Sequence, residues 1–445
     1  VIDLIVAGGR IVMDGTTREA DLAVDDGRIV GVGSNLGEAR TRVDASGLVV
    51  MPGMIDVHLH FNEPGRTHWE GAATGSRALA AGGGTLYFDM PLNSTPCTID
   101  VDAFDRKHDA LRAASITDFA IWGGLVPGAV PNMAAMAERG VVGFKAFMCD
   151  SGLPEFPRAD DRTLFDGLRE AARLGLPVAV HAENEELSRT RARADENDAR
   201  AWARSRPLVA ELDAIQRAVL LAGEAGAALH IVHVSSGRGV EVAADARRRG
   251  VNVSIETCPH YLAFTEDDLE RLGTLVKCAP PLREGTAREA LWAYVADGTI
   301  DIVASDHSPT DPALKQTAFA SAWGGIAGVQ STLPVMLDLG HRERGLALER
   351  VVQLVAATPA RRFGIARKGA IVVGADADLV LVDLRAQFTL GVDDLQQRHK
   401  LSPYVGHTFA GVVRRTIRRG ETIFADGRIP DSATRGRLLR PDRHA

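Results

Sequence analysis

Apolar and polar positions change texture twice along the chain. Residues 1–50 carry short alternating runs, DLIVAGGRIV, DLAVDDGRIVGVG and GLVVMPG, with no helical period. Alternation at period two marks half-buried strands, and Asp25-Asp26-Gly27 between two such runs predicts a hairpin. From residue 52 the runs become apolar on both faces. They are MIDVHLH, TLYFDM (85–90), DFAIWGGL (118–125), VVGFKAFM (141–148), PVAVHAE (177–183), ALHIVHVS (228–235), VNVSIETC (251–258) and DIVASDHS (301–308). Amphipathic or Ala-rich stretches separate them at 71–82, 100–114, 161–174, 207–226, 237–249 and 286–297. Strands buried on both faces and alternating with helices belong in a parallel sheet, and eight of them predict a (β/α)8 TIM-like barrel. An open doubly wound sheet would place a Gly-rich phosphate loop after its first strand. Here GGG at 82–84 precedes a strand, as a helix C-cap or αβ turn does.

After about residue 365 the alternation returns. GAIVVGADADLVLVDL alternates around Gly374 and an Asp376/Asp378 turn, and GVVRRTIRRGETIFADG ends in a second hairpin signal. The two ends resemble each other, and neither suffices as a core. The expected architecture is therefore α/β. Residues 1–51 and 365–445 make one small β-sandwich, and residues 52–364 make the barrel, which would carry the chemistry.

Length agrees, since 445 residues exceed the roughly 250 of a single barrel. A net charge of −7 without a long basic block argues against nucleic acid as a partner. Arg414, Arg415, Arg418 and Arg419 alternate with apolar residues and read as a solvated strand face. No apolar run approaches the roughly 20 residues that span a bilayer, so no membrane is expected. The stretch VIDLIVAGGRIVMDG lacks the basic and apolar regions of a signal peptide, and a cytoplasmic location is the expectation. Cys97, Cys149, Cys258 and Cys278 are widely spaced and read as free thiols.

Candidate chemistry gathers where the apolar runs end. In PGMIDVHLHFNEPGR, His58 and His60 stand at i and i+2, so they share one strand face just before a turn. Lys145 lies near the end of the fourth run, His181 ends the fifth, His233 the sixth and Asp306 the eighth. In a barrel these six meet at the C-terminal mouth, where catalytic groups sit. Each also has an ordinary reading. The paired histidines can face solvent on an edge strand, His181 and His233 can be core histidines, and Asp306 can cap a helix. Lys145 is harder to dismiss, because a lysine in an apolar strand needs a partner or a chemical modification. Converging, four imidazoles and a carboxylate can bind two divalent ions, and a lysine carbamate would bridge them. Two such ions can acidify a shared water and polarise a carbonyl, while Asp306 moves the proton to a leaving nitrogen. That is a site for hydrolysing an amide-type bond.

These residues, in this order, resemble the amidohydrolase superfamily, and within it the cyclic amidases: dihydroorotases, hydantoinases (dihydropyrimidinases) and allantoinases. The resemblance runs along almost the whole chain. It implies that His58 and His60 hold one ion, that His181 and His233 hold the second, and that carboxylated Lys145 bridges them. Asp306 would be both ligand and general base/acid toward a metal-bridging hydroxide. Dihydroorotases resemble HxHxREPG at the first strand, whose Arg holds a carboxylate; here HLHFNEPG has Asn62 in that place. Hydantoinases carry a Tyr soon after the lysine, and KAFMCDSGLPEF has none. FNEPGRTHWEG, GGGTLYFDMPLNSTP, FKAFMCDSG, CPHYL, KCAPPLR, SDHSP and WGGIAGVQ together resemble allantoinases. The implied reaction opens the ring amide of allantoin, a cyclic ureide, to give allantoate.

The resemblance further implies that backbone near Cys278-Ala279 and Gly324-Gly325 meets the ring imide edge. Asn93, Ser151, His260 and Ser308 are candidates for the ureido tail, although turn, cap and loop roles suit each equally. Glu63 reads as structural, and Arg66 and Trp69 as shaping the entrance. Zinc is the default metal, with cobalt, manganese, nickel or iron also open. Relatives are often tetramers, which implies a homo-oligomer. A hydantoinase is the alternative reading. A non-catalytic scaffold of the same fold would lack ligands, and this sequence lacks none of the six.

Overall fold

The computed structural model describes residues 1–13, 15–188 and 197–442. Both chain ends contribute to one eight-stranded sheet. Its order is Glu421–Ala425, Thr408–Arg418, Leu379–Thr389, Val49–Pro52, Ile2–Met13, Thr16–Asp25 and Arg28–Gly33, with Ala39–Asp44 pairing Ile2–Met13. The ends join where Leu379–Thr389 runs antiparallel to Val49–Pro52, with Val380 opposite Met51 and Leu381 opposite Val50. Leu4, Val6, Ile11, Leu22, Val24 and Ile29 from one end share a buried cluster with Leu379, Leu381 and Ile417 from the other. The predicted hairpin closes at Asp26 (φ 46°) and Gly27 (φ 71°), the two left-handed positions of a twist-matched turn.

Two expectations for this part are corrected. The arginine cluster is solvated only in part: Arg414 is partly exposed, but Arg418 and Arg419 are not on a solvated face. Arg418 is 1% exposed and donates to the Ile116 carbonyl, to Thr434 and to Glu421, while Arg419 pairs with Asp118. Nor do Asp376 and Asp378 make a simple turn. Both are buried and flank Lys368 Nζ at 3.1 and 2.5 Å, and the strand starts only at Leu379. These charges lie on the seam between the sheet and the rest of the chain. Removing them from water is tolerable there because each finds an opposite charge or a carbonyl.

Between the ends, parallel strands follow one another in chain order. Met54–Leu59, Gly84–Asp89 and Asp118–Ile121 form one sheet. Gly123–Gly124, Phe144–Phe147, Val178–His181, Leu229–Ile231, Val253–Thr257 and Ile302–Val303 form another. Trp122 N donates to the Asp89 carbonyl (3.0 Å) across the junction, and His60 N donates to the His307 carbonyl (2.8 Å), placing the last strand's end beside the first. Every residue of these strands is buried except partly buried Phe147, which explains their continuous apolar runs. The predicted helices appear as Ala72–Ala81, Val101–Ala114, Asp161–Leu174, Leu208–Ala225, Gly237–Arg248 and Gly285–Asp297. Asp100, Asp160 and Ser236 cap three of them by accepting from the amides of Ala103, Thr163 and Gly239.

The sixth and eighth runs are shorter strands than their apolar patterns suggest. Each leaves the ladder two or three residues short of its candidate polar residue, after Ile231 ahead of His233 and after Val303 ahead of Asp306. His233 (φ 40°) and Asp306 (φ 45°) both adopt left-handed backbone, a cost of order 1–3 kcal/mol that clusters at functional sites. Strand Ala39–Asp44 and the helical region from Thr332 to Arg362, which includes two π-helical segments, had no assignment from sequence.

Candidate metal centre and active site

His58 is the second-last residue of its strand, Met54–Leu59, and His60 follows directly after the strand, so both rings leave the same face. His58 Nε2 lies 3.2 Å and His60 Nε2 3.5 Å from Asp306 Oδ1. The far nitrogens are anchored elsewhere. His58 Nδ1 is 2.7 Å from Glu256 Oε1, and His60 Nδ1 is 3.4 Å from the Leu92 carbonyl. Because an acceptor occupies each Nδ1, the proton belongs there and the Nε2 lone pairs face the shared point. The second pair mirrors this. His181 Nε2 rests on Glu183 Oε2 (2.8 Å), and His181 Nδ1 faces His233 Nε2 at 3.0 Å. Glu183 is held in turn by Arg206. The His58 and His233 rings lie 5.4 Å apart, which joins the two pairs.

Lys145 sits beneath them, wholly buried, its ammonium 5.1 Å from the Phe147 ring centroid and without a hydrogen-bond partner. Burial lowers its pKa to about 8, against the opposing pull of Asp306 and Glu256. Burial also lowers the pKa values of His58, His181 and His233, which keeps the rings in the neutral form that ligates. For Asp306 burial acts upward, but His58, His60 and His233 outweigh it and hold the carboxyl well below its usual range. Glu183 and Glu256 reach about 2 in the same way, through Arg206 and His181 in one case and His58 and His230 in the other.

This donor set fits divalent cations. Donor atoms of His58, His60 and Asp306 all lie within 4.8 Å of one another. The facing nitrogens of His181 and His233 make a second convergence point. The unpartnered Lys145 amine nearby is chemically complete only if modified or charge-balanced.

The donors border a cavity of about 430 Å³. Its walls include Asn93, Ser151, Cys278, Ala279, Ser308, Gly324 and Gly325, all singled out from sequence. His260 is not among the lining residues. It is buried behind them, within 4.8 Å of Cys258 and Asp306, and burial takes its pKa to about 4. Lys145 likewise lies under the cavity rather than on its wall. Asn93 (φ 70°) donates to Ser308 Oγ (3.3 Å), and Ser151 Oγ donates to the Phe156 carbonyl (2.6 Å). Glu63 accepts from the Ala72 amide (2.6 Å) and so caps a helix. Arg66 stacks over Trp69 (5.2 Å), which packs on the wall residue Trp323 (4.9 Å). Asn62 is 1% exposed and donates to the Pro309 carbonyl (3.0 Å), so it holds a loop and does not line the cavity.

Several site residues escaped the sequence reading. Glu183 stands two positions past His181, and the period-two rule that paired His58 with His60 would have found it. Glu256, inside an apolar run, carried the same signal as Lys145: a charge where burial demands a partner. Arg206, Trp202 and Lys277 come from connecting segments, which periodicity does not place.

Imidazole and carboxylate donors at the ends of parallel strands, beside a lysine without a partner, define a metal-dependent hydrolase. The amidohydrolase family model matches residues 49–423, and the chain belongs to that family. It is 59% identical over 444 residues to the allantoinase of Solibacter usitatus, covering 99% of this chain and 97% of that one. It is 55% identical over 447 residues to the allantoinase of Rubrobacter xylanophilus, covering 99% and 98%. Among solved structures it resembles the L-hydantoinase (dihydropyrimidinase) of Arthrobacter aurescens, with a TM-score of 0.94 and 34% identity over 99% of this chain and 100% of that one. A D-hydantoinase (dihydropyrimidinase) of Thermus sp. matches with a TM-score of 0.90 and 26% identity, over 98% and 99%.

Proposed function

We propose that the protein is a metal-dependent cyclic amidohydrolase that opens the hydantoin ring of allantoin to give allantoate. The observation that carries this is the convergence of His58, His60, His181, His233 and Asp306 on one cavity, over Lys145, in a chain 59% identical to an allantoinase. The buried position of Asn62 fits the reading, since it leaves no arginine at that place for a dihydroorotate carboxylate.

His58 and His60 would hold one divalent ion and His181 and His233 the other, with zinc the first choice. The isolated Lys145 amine is suited to addition to carbon dioxide, losing a proton as an N–C bond forms, and the carbamate would supply an anionic donor beside the two histidine pairs. Bound there, two divalent cations would polarise the ring carbonyl and acidify the water that attacks it. Asp306, ionised and facing both histidines of the first pair, takes a proton from that water and delivers it to the leaving ring nitrogen. Cys278, Ala279 and Gly324 border the ring's imide edge, and Asn93, Ser151 and Ser308 border the ureido tail. Glu183 and Glu256 keep the imidazoles turned toward the centre.

The bridge between Leu59 and His307 supports closure of the parallel strands into a (β/α)8 barrel. The reading assigns residues 52–364 to that barrel and residues 1–51 and 365–445 to a β-sandwich module. No helix among the described residues is long and apolar enough to cross a membrane. The assignment extends to a homo-oligomeric, cytoplasmic enzyme.

A hydantoinase is the second reading, favoured by the structural likeness to the Arthrobacter aurescens enzyme. One panel separates the two: allantoin, hydantoin, dihydrouracil and dihydroorotate, with metal content measured on the same batch. Fast turnover of allantoin with near two metals per chain is the expected result. Preference for hydantoin or dihydrouracil would transfer the protein to the second reading.

A further inference from the structure

One wall of the cavity is built from a segment without regular structure. Ala320, Ser321, Ala322, Trp323, Gly324 and Gly325 all line it. Such a segment wanders unless its carbonyls are tied down, because each residue held in one backbone conformation costs about 1–2 kcal/mol of entropy. Two lysine side chains do the tying.

Lys315 is half-buried, and its ammonium meets three carbonyls, of Thr274 (2.9 Å), Trp323 (2.9 Å) and Gly325 (2.6 Å). An ammonium has three N–H groups, so the set is complete. Thr274 reciprocates by donating its hydroxyl to the Lys315 carbonyl (2.7 Å), and Trp323 N donates to the Leu314 carbonyl (3.1 Å). Lys277 holds the other half of the wall, donating to the carbonyls of Ala320 (2.9 Å) and Ala322 (2.6 Å) with its ammonium 4.2 Å from the Trp202 ring centroid. Trp202 Nε1 donates to the Cys278 carbonyl (3.3 Å), so the same brace reaches the opposite candidate for the ring's imide edge.

The brace also decides which backbone groups stay free. Gly325 N donates to the Lys277 carbonyl (2.8 Å) and its own carbonyl accepts from Lys315, so Gly325 is committed within the protein. The next residue, Ile326, accepts from Ser308 N (3.0 Å), two positions past Asp306. A Cβ on Gly325 would collide with the Ser308 carbonyl, so the wall and the Asp306 loop touch without a gap.

We propose that Lys315, with Lys277, is a positioning residue that locks the 320–325 wall at a fixed distance from Asp306 and so sets the fit of the cyclic ureide. Lys315 touches no reacting atom. It acts through the backbone of Trp323 and Gly325. The assignment of the substrate rests on the reading above, but the brace itself does not.

The test is Lys315→Met, which keeps the apolar stem and removes all three donors. KM for allantoin is expected to rise at least about tenfold while kcat stays within about threefold and metal content is unchanged. Amide hydrogen exchange is expected to accelerate over residues 316–326 with the rest of the chain unaltered. Unchanged KM and unchanged exchange would overturn the proposal. So would a parallel loss of kcat, metal and global stability, which marks a merely structural lysine. If Lys315→Met does not fold, Thr274→Val must shift KM and local exchange in the same direction, and a neutral Thr274→Val overturns the brace. A wild-type protein inert toward allantoin, with exchange still accelerated in Lys315→Met, would sink the substrate assignment and leave the brace standing.

Discussion

His58 and Glu256 meet at 2.7 Å in a pair that is wholly sealed from solvent, and Glu256 also takes His230 at 3.0 Å. Glu256 therefore sets the tautomer of His58 without facing the cavity itself. Glu256→Gln keeps the shape and removes the charge that polarises the ring. Metal affinity should fall about 10–100-fold, with activity falling in parallel. Metal content after dialysis against graded chelator, compared with turnover on the same samples, measures it. Full metal retention in the variant would show that His58 needs no such support.

Lys145 offers a sharper case. Its amine is buried and has no hydrogen-bond partner. On the proposed carbamate reading, Lys145→Ala should lower kcat at least about 100-fold, because it would remove that anion and open a space beside the histidine pairs. A short carboxylic acid such as propionate should restore part of the rate by occupying that space. A variant with wild-type rate would remove Lys145 from the chemistry.

The order of buried strands and the gathering of the six candidate residues at their ends were legible in the sequence because burial on both faces leaves a continuous apolar run, and a polar residue at the end of one stands out. The seam was not legible. Arg418 and Asp378 look like surface residues by type, and only the tertiary fold supplies Ile116, Thr434 and Lys368 as partners. The wall at 320–325 was equally hidden. Its shape depends on Lys315 and Lys277 reaching carbonyls in other segments, and no local period records that. His260 shows the same limit: a histidine after a strand reads as a loop residue, yet it lies buried on the short helix Pro259–Ala263, off the cavity wall.

Glu70, whose Oε2 lies 3.9 Å from Nε2 of His307, gives a pH prediction for the packing around the site. It is fully buried, and that burial raises its pKa from 4.5 to about 7 although the Arg398 amide donates to it at 3.0 Å. The folded state thus holds the proton more tightly than the unfolded chain. Its contribution to stability is greatest below about pH 4.5, declines as pH rises, and levels off above about 7. Glu70→Gln removes the ionisation and keeps the shape. The variant should match the wild type at pH 5 and exceed it at pH 8 by on the order of 1–3 kcal/mol. Denaturant melts at the two pH values decide it, and a variant equally stable or weaker at pH 8 would show that the carboxyl ionises without cost.

Removal of the metal tests the whole centre. His58, His60, His181, His233 and Asp306 bring five donors into one region, where burial keeps the imidazoles of His58, His181 and His233 neutral. Without a cation, the facing nitrogens of His181 and His233, 3.0 Å apart, must share a proton, and the proposed carbamate on Lys145 would lose its counter-charge. Chelation at mildly acid pH should therefore abolish turnover and lower the melting temperature, since a ligand that binds only the folded state stabilises it by mass action. Divalent metal alone should restore part of the activity, and metal with bicarbonate more, because the proposed carbamate requires carbon dioxide to return to the lysine. Equal recovery with and without bicarbonate would argue for a centre that works without the carbamate, and undiminished activity after chelation would mean that the histidines serve packing alone.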